Sequence, residues 1–170
     1  KTMSFYGAHS IRHPAGLLML VCVLALSVAG AQEGPAADRL LEPSPERSAR
    51  EVITIQLDAL SDNDQPETNA GIEQVWAFAH PRNRVITGPL SRFTRMLRGP
   101  GYGMLINHLS YEITEIRRTG RTAVYQVKVL SRDGGFYRFR WRLEKAAQPG
   151  GPAWMTTRVT PAEQTGEQLS

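Results

Sequence analysis

The chain has 170 residues, among them 20 basic and 16 acidic ones, and its formal net charge is +4. Its one cysteine, Cys22, lies in an apolar N-terminal run, so the chain beyond that run has no disulfide and depends on a packed core for its stability. Only His80 and His108 remain as histidines there, which excludes a zinc site of the usual Cys/His type. We expect no metal and no cofactor.

The N-terminal segment, residues 1–31, has the pattern of a secretion signal. Lys1 and Arg12 are its only charged residues, and residues 16–26 form an unbroken apolar run. This run is shorter than the roughly 20 residues that cross a bilayer, but it suits a signal-peptide core, which needs about 7 to 15. Small residues ending at Ala31 predict cleavage there. We therefore expect a periplasmic or secreted protein that meets the membrane only through its transient signal.

Two alternatives to cleavage are an uncleaved membrane anchor and a lipoprotein. The anchor is disfavoured because the apolar run is short and no stop-transfer charges follow it. Lipidation would use Cys22, but Val21 before it is not the small residue that this modification needs. Met3 is a candidate start, so the exact start and cleavage sites stay open.

The positive charge is concentrated in the middle of the chain. Without Lys1 and Arg12, 18 basic residues face 16 acidic ones, and residues 48–160 hold 16 of these bases but only 10 of the acids. Most of the bases are arginines, which favour bidentate contacts with carboxylate or phosphate. Nucleic acid is not an expected partner, because the chain has no recognition motif for it.

The chain after the signal divides into a spacer, one domain and a tail. Residues 32–47 are rich in Pro, Ala and acids, which predicts a flexible or extended spacer. Residues 48–160 are predicted to form a single domain, and residues 161–170 a flexible tail. The domain begins at a capping box, in which Ser48 and Glu51 satisfy free backbone amides at the start of a helix.

Three helices are predicted at the start of the domain. The first carries Gln56 in the middle of its apolar face, either as a buried amide bonded to the backbone or as a polar group lining a cavity. The second is capped by Asn69 and ended by Pro81, and His80 is expected to bond its last carbonyls. The third begins near Thr87, with a proline in its first turn.

Beyond Asn107 the hydrophobic period changes from helical to alternating, which predicts four strands. Hairpin signals between neighbouring strands predict an antiparallel meander. Helices followed by strands, with one apolar sheet face, predict an α+β domain of three N-terminal helices packed on a curved four-stranded antiparallel sheet. The strands are predicted at Leu109–Arg117, Thr122–Leu130, Phe136–Glu144 and Trp154–Thr160.

The third predicted strand separates two faces most clearly, because apolar and arginine residues alternate along it. One face is expected in the core and the other in water. The arginine row is either a solvated face that discourages edge pairing or a docking surface for an anionic partner or for the second subunit of a homodimer. The candidate anion-binding residues are Arg138, Arg140, Arg142 and Arg158.

Several short segments resemble the domain-of-unknown-function family 4864. They include Phe78-Ala-His-Pro81, Asn83-Arg84 and, as the most specific, Thr87-Gly-Pro-Leu90. The resemblance covers roughly Glu51 to Val159. That family has no established activity and is similar to the nuclear transport factor 2-like superfamily. The resemblance implies a cone in which helices and sheet enclose a pocket, which different relatives use for catalysis, ligand binding or dimerisation; the fold does not choose among these.

Enzymes of that superfamily use an Asp or His base with Tyr donors inside the pocket, so the resemblance directs attention to such groups. His108, with Tyr111 or Tyr125, is the first choice for a catalytic base and its donors. Asp58 lies far from Gln56 around the first helix and is expected to face solvent. None of these residues lies in a recognisable catalytic motif.

A pocket between helices and sheet would be lined by residues that also serve as ordinary core. The expected function is therefore non-catalytic binding of a small ligand or a protein partner. A lyase or isomerase acting in the cone and surface binding of an anionic polymer are the alternatives. The candidate pocket residues are Gln56, Trp76, Phe93, Met96, Tyr102, Tyr125, Phe139 and Trp141.

Overall fold

The structure, a computed structural model, describes residues 40–168, with the side chains of residues 167 and 168 left out. The predicted signal segment and cleavage site lie outside these residues. In the described part, four helices precede an antiparallel sheet, so the domain is α+β as predicted. The helices are α1 (Ala49–Ser61), α2 (Ala70–Ala77), α3 (Pro81–Thr87) and α4 (Leu90–Leu97), followed by a 3-10 turn at Gly103–Leu105. The strands are β1 (Ser110–Arg118), β2 (Thr122–Leu130), β3 (Gly135–Ala146), β4 (Ala153–Val159) and β5 (Glu163–Gln168).

Helix α1 begins at the predicted capping box. The Ser48 hydroxyl accepts from the Glu51 amide, and the Glu51 carboxylate accepts from the Ser48 amide at 2.6 Å. These bonds hold the pKa of Glu51 below its usual value. Val52, Ile53 and Leu60 are fully buried on one side of the helix, as its apolar arc predicts. The cap and the buried face together fix α1 in the core.

The turn between α1 and α2 brings the two helices into close contact. Asn69 precedes α2 as predicted but caps no amide; its Oδ1 accepts from the Arg98 guanidinium instead. The cap comes from buried Asn63, whose Oδ1 accepts from an amide in the first turn of α2 at 3.1 Å. A Cβ on Gly71 would overlap the backbone of Ala59, so only glycine fits where the helices meet.

The chain after α2 differs from the sequence prediction, because Pro81 opens a fourth helix. α2 ends at Ala77, and Pro81 is the first residue of α3, a position where the missing proline N–H removes no bond. His80 therefore does not bond the last carbonyls of a helix. Its Nδ1 accepts from the Arg82 amide at 3.1 Å and caps the N-terminus of α3.

The sheet is an antiparallel meander in the order β1-β2-β3-β4, as predicted. A bulge interrupts the pairing of β3 with β4, where Leu143 lies opposite Thr156 but Trp141 lies opposite Val159. Residues directly opposite each other share a face of the sheet. Thr156 and Val159 therefore lie on the same face although they are three residues apart.

The C-terminal tail forms a fifth strand where the sequence predicted a flexible segment. β5 pairs with the first half of β3, with Tyr137 opposite Gln164 and Arg138 opposite Glu163. β4 covers only the second half of β3, from Trp141 onward, so the first half would otherwise present an open edge. Free backbone groups at such an edge need partners, which the tail supplies.

The described end of the predicted spacer, residues 40–47, is held against α2. The Leu41 amide donates to the Gln74 side-chain oxygen at 2.8 Å, and the Gln74 amide group donates back to the Leu41 carbonyl at 2.8 Å. Gln74 is itself buried. This segment has no helix or strand, contains a turn at residues 45–46, and is bonded to the domain.

Candidate ligand pocket

A cavity of about 360 Å³ lies between the helices and the second half of the sheet. α1, α2 and α4 contribute apolar side chains, among them Leu60, Val75 and Phe93, and the sheet contributes Trp141 and Val159. α3 covers one side. The volume is at the lower end of the range for small-molecule sites, and the mostly apolar lining is typical of them.

At the wall of the cavity, the Gln56 side chain connects α1 to β4 by hydrogen bonds. Its amide nitrogen donates to the Val52 carbonyl at 3.0 Å and to the Thr156 hydroxyl at 2.9 Å, and the Thr156 hydroxyl lies 3.1 Å from the Gln56 side-chain oxygen. Both residues are buried and both line the cavity. Gln56 is thus a buried amide bonded to the backbone and to Thr156, and it also lines the cavity.

Trp141 is the one tryptophan that lines the cavity, and its indole nitrogen has no hydrogen-bond acceptor among the described residues. The side chain is 1% exposed. An indole N–H is a donor only, and buried donors are nearly always paired in folded proteins. This unpaired donor is the most unusual polar group of the cavity.

The cavity wall bears positive and no negative charge. Arg158, on β4, is the single charged residue among its described lining residues. Burial raises the pKa of Tyr102 at the same wall, and the nearby Arg158 charge opposes that rise. The Tyr102 hydroxyl donates to the Val159 carbonyl at 3.2 Å. An anion would be favoured beside Arg158 and a cation disfavoured.

Helix α3 forms the cover of the cavity and has no buried residue. Asn83, Ile86 and Thr87 line the cavity from this helix, although Ile86 is 73% exposed. The helix is tied to the sheet through the Asn83 side chain, which donates to the Thr156 carbonyl at 3.3 Å. Arg84 ties it to the end of α2 by donating to the Trp76 carbonyl at 2.8 Å.

The structure places five of the eight predicted pocket residues at the wall of this cavity. Gln56, Phe93, Met96, Tyr102 and Trp141 line the cavity. The other three predicted residues do not line it. Trp76 packs against Phe93 with ring centroids 4.9 Å apart, whereas Tyr125 and Phe139 are buried in the core.

Sequence reasoning did not predict the other lining residues as pocket residues, among them Asn83, Thr156 and Arg158. Asn83 lies on the helix that the sequence did not predict. Thr156 faces the cavity because of the bulge in β4, which the alternating pattern does not reveal. Arg158 was predicted only for the exposed sheet face, yet it lines the cavity as well. For Asn83, the signal in the sequence was the Asn83-Arg84 pair that precedes the family segment Thr87-Gly-Pro-Leu90.

The predicted base and its donors lie outside the cavity lining. His108 is buried, and its Nδ1 lies 2.8 Å from the Leu105 carbonyl oxygen. The centroids of the His108 and Tyr111 rings are 5.6 Å apart in a T-shaped arrangement. Because a carbonyl only accepts, Nδ1 carries the proton, and burial lowers the pKa of His108. The Tyr111 hydroxyl donates to the exposed Asp58 at 2.6 Å. The structure thus brings His108 and Tyr111 together, away from the apolar cavity.

Tyr125, the other predicted donor, is bonded elsewhere on the sheet. Its hydroxyl donates to the Glu115 carboxylate at 2.9 Å. Burial, together with this bond, raises the pKa of Tyr125 to about 12, and burial and the Asp58 bond do the same for Tyr111. Both hydroxyls therefore stay protonated near neutral pH.

The open face of the sheet carries the predicted arginines. Arg140, Arg142 and Arg158 surround a groove with Ile116, which is 53% exposed, and Arg138 lies farther along the same face. The Arg142 guanidinium pairs with Glu144 at 3.1 Å. Within residues 40–168, the side chains of Arg140 and Arg158 make no hydrogen bond or ion pair, so two guanidinium groups are available to an anion.

Two further observations bear on function. No group of three or more potential metal ligands comes together among the described residues. Across residues 40–168, no helix combines the length and the apolar character that a bilayer crossing requires. The apolar cavity and the arginine face are two candidate sites within the described residues.

Comparison with known proteins gives one match. Neither the curated proteins nor the solved structures contain a match to this chain. A family model described as domain of unknown function DUF4864 matches residues 44–168. That range begins just before α1 and ends with β5, so it includes the whole cavity wall and the C-terminal strand. The chain therefore belongs to the family of domains of unknown function DUF4864.

Proposed function

We propose that this chain is an exported binding protein that holds a small, mostly apolar ligand in the cavity between its helices and sheet. The observation that carries the proposal is the cavity itself, about 360 Å³ in volume and lined chiefly by apolar side chains. Its described lining contains no Asp, Glu, His, Lys or Cys, and the hydroxyl of its one tyrosine, Tyr102, is bonded to the Val159 carbonyl. Binding without turnover is the function that this lining supports.

We further propose that the fold is the cone of the nuclear transport factor 2-like superfamily. The support is the chain order, with helices first and an antiparallel meander afterwards, and the position of the cavity between the two layers. A ligand site in that position agrees with the general preference of small molecules for concave, apolar sites between packed layers.

Binding of the neutral fluorescent probe N-phenyl-1-naphthylamine to the full chain tests the proposed function. We expect saturable fluorescence enhancement that Val75→Phe weakens by about tenfold, because a larger side chain fills part of the cavity. Val85→Phe is the matched control, since Val85 is 84% exposed and does not line the cavity. It should leave probe affinity unchanged.

Met96→Phe is a second variant that fills part of the cavity, and it keeps the test valid if Val75→Phe does not fold. Circular dichroism establishes whether each variant is folded. Equal probe affinity in the wild type and in a folded blocking variant would contradict binding in the cavity. An equal loss of affinity in Val85→Phe would show that the loss does not come from filling the cavity. Either result overturns the proposed function.

A second candidate function is binding of an anionic polymer to the open face of the sheet. The favouring observation is that Arg140 and Arg158 have no ion-pair partner in the described structure although they border one groove. Binding of polyphosphate should weaken steeply with salt, since exposed charges are screened over about 10 Å at 0.1 M. Arg140→Gln should weaken it, whereas Arg132→Gln, in the exposed turn between β2 and β3, should not. Equal effects of both variants would reject a specific site.

A further inference from the structure

We propose that the cavity ligand is an apolar acid, a molecule with a hydrocarbon body and a carboxylate that accepts a hydrogen bond from the Trp141 indole. This inference rests on the proposed function and names the class of ligand. Two independent observations carry it: the unpaired donor of Trp141 and the one-sided charge of the cavity wall.

The indole nitrogen of Trp141 is a buried donor that lacks an acceptor among the described residues. Leaving such a group unpaired costs about 1–3 kcal/mol, so buried polar groups without a partner are rare and call for an explanation. Trp141 lines the cavity, so an occupant that comes within hydrogen-bond distance of the indole nitrogen would supply the acceptor. A purely hydrocarbon ligand would leave this cost in place, whereas an oxygen acceptor would remove it.

The neighbouring polar residues of the cavity are already paired with each other. Gln56 donates to Val52 and to Thr156, and the Thr156 hydroxyl is within hydrogen-bond distance of the Gln56 oxygen. The Tyr102 hydroxyl donates to a backbone carbonyl. A buried water typically needs two to four polar partners. An oxygen atom carried on an apolar ligand needs only the Trp141 N–H and suits this wall better than a water.

The charge of the cavity wall selects an anionic acceptor. Arg158 lines the cavity, and no acidic residue among the described lining residues balances it. Glu144, which could have done so, pairs with Arg142 at 3.1 Å and with Arg82. Arg158 directly precedes Val159, the residue opposite Trp141 on the neighbouring strand. Arg158 itself lies opposite Arg142 and is exposed on the open face, and its charge acts on the cavity from the edge strand, where it opposes the rise in the pKa of Tyr102.

A matched series of ten-carbon probes tests this inference by calorimetric titration of the full chain. Decanoate, decanol and decylamine share their hydrocarbon chain and differ in charge. Because a hydrogen bond to a charged group is worth more than one between neutral groups, decanoate should bind at least about tenfold more tightly than decanol. Decylamine, which is cationic at neutral pH, should bind most weakly of the three.

Two substitutions separate the contributions of the donor and of the charge. Trp141→Phe keeps an aromatic ring but removes the N–H, and should weaken decanoate binding about fivefold to tenfold. Arg158→Met should weaken decanoate binding but leave decanol binding unchanged. The control is Arg140→Met, on the open face and outside the cavity lining, which should change neither.

The NMR resonance of the Trp141 indole N–H is identified by its absence from the spectrum of Trp141→Phe. Its chemical shift should change when a ligand accepts a hydrogen bond from the indole, and it would stay unchanged if Trp141 had only a structural role. Decanoate should shift it downfield as the hydrogen bond forms, more strongly than decanol does. An unchanged resonance with a cross-peak to bound water would mean that water alone satisfies the indole, and the inference fails. Equal binding of decanol and decanoate also overturns it, yet leaves the proposed function standing, because the neutral naphthylamine probe tests that separately.

Discussion

The two faces of strand β3 differ in almost every property although their residues alternate along one strand. Phe139 and Trp141 are 1% exposed and lie beneath the helices, whereas Arg140 and Arg142 face water. The covered face contains a mostly apolar cavity with one unpaired donor, and the open face carries a row of positive charge. We therefore expect folding stability to depend chiefly on the covered face, and we propose that this face also selects the ligand while the open face meets charged partners.

The largest expected difference between the two faces is in folding stability. Phe139→Ala should lower the free energy of unfolding by about 3–5 kcal/mol, because it leaves a void in a fully buried position. Arg140→Ala, one residue away on the open face, should change it by no more than about 0.5 kcal/mol. Urea unfolding followed by circular dichroism measures both. Similar losses in the two variants would mean that the faces are not energetically distinct.

A smaller effect is expected at the polar wall of the cavity. Thr156→Val keeps the shape of the side chain but removes the hydroxyl that accepts from Gln56, leaving a buried amide hydrogen without its partner. The expected loss is about 1–2 kcal/mol in the free energy of unfolding. Thr156→Ser retains the hydroxyl and is the control for the loss of this bond. If Val were tolerated better than Ser, the bond between Gln56 and Thr156 would not support the fold.

The smallest effect concerns acid stability and the buried His108. Burial lowers the pKa of His108 below its ordinary value of 6.5. At pH values between the pKa of His108 in the folded chain and 6.5, the unfolded chain binds more protons than the folded chain does. The contribution of His108 to the free energy of unfolding is therefore complete above about pH 6.5 and is lost as the pH falls through the folded pKa. His108→Asn, which preserves a donor near the Leu105 carbonyl, should flatten this decrease.

The pH dependence should be reduced in His108→Asn but not abolished. Burial also lowers the pKa of His80, so this second histidine contributes a decrease in the same direction. Thermal unfolding from pH 4 to pH 8 compares the slopes in the wild type and the variant. An unchanged slope in His108→Asn would show that His108 is not a source of acid sensitivity.

The sheet could be predicted from the sequence far better than the helix layer. The alternation in β2 and β3 places each side chain on its face, since the period of a strand is fixed at two residues. The proline at the start of α3 was ambiguous, because proline both ends one helix and begins another. β5 has no apolar alternation, and its pairing depends on an open edge that exists only in the folded sheet.

The cavity could be predicted only in part, for a related reason. Gln56 stood out as a polar residue on an apolar face, and it does line the cavity. A packed aromatic and a cavity-lining aromatic have the same pattern in sequence, so Tyr125 and Phe139 could not be separated from Trp141. The unpaired Trp141 donor depends on the positions of all its neighbours, which no local pattern contains. The predicted export and the predicted homodimer remain predictions.

The most direct test of the central claim is to locate bound decanoate on the 15N-labelled full chain by chemical-shift mapping. The claim predicts that shifts concentrate at the cavity wall, in residues such as Leu60, Phe93 and Val159, and leave Gln126 and Arg138 on the open face unchanged. Shifts confined to the arginine face, with the cavity residues and the Trp141 indole unmoved, would contradict it.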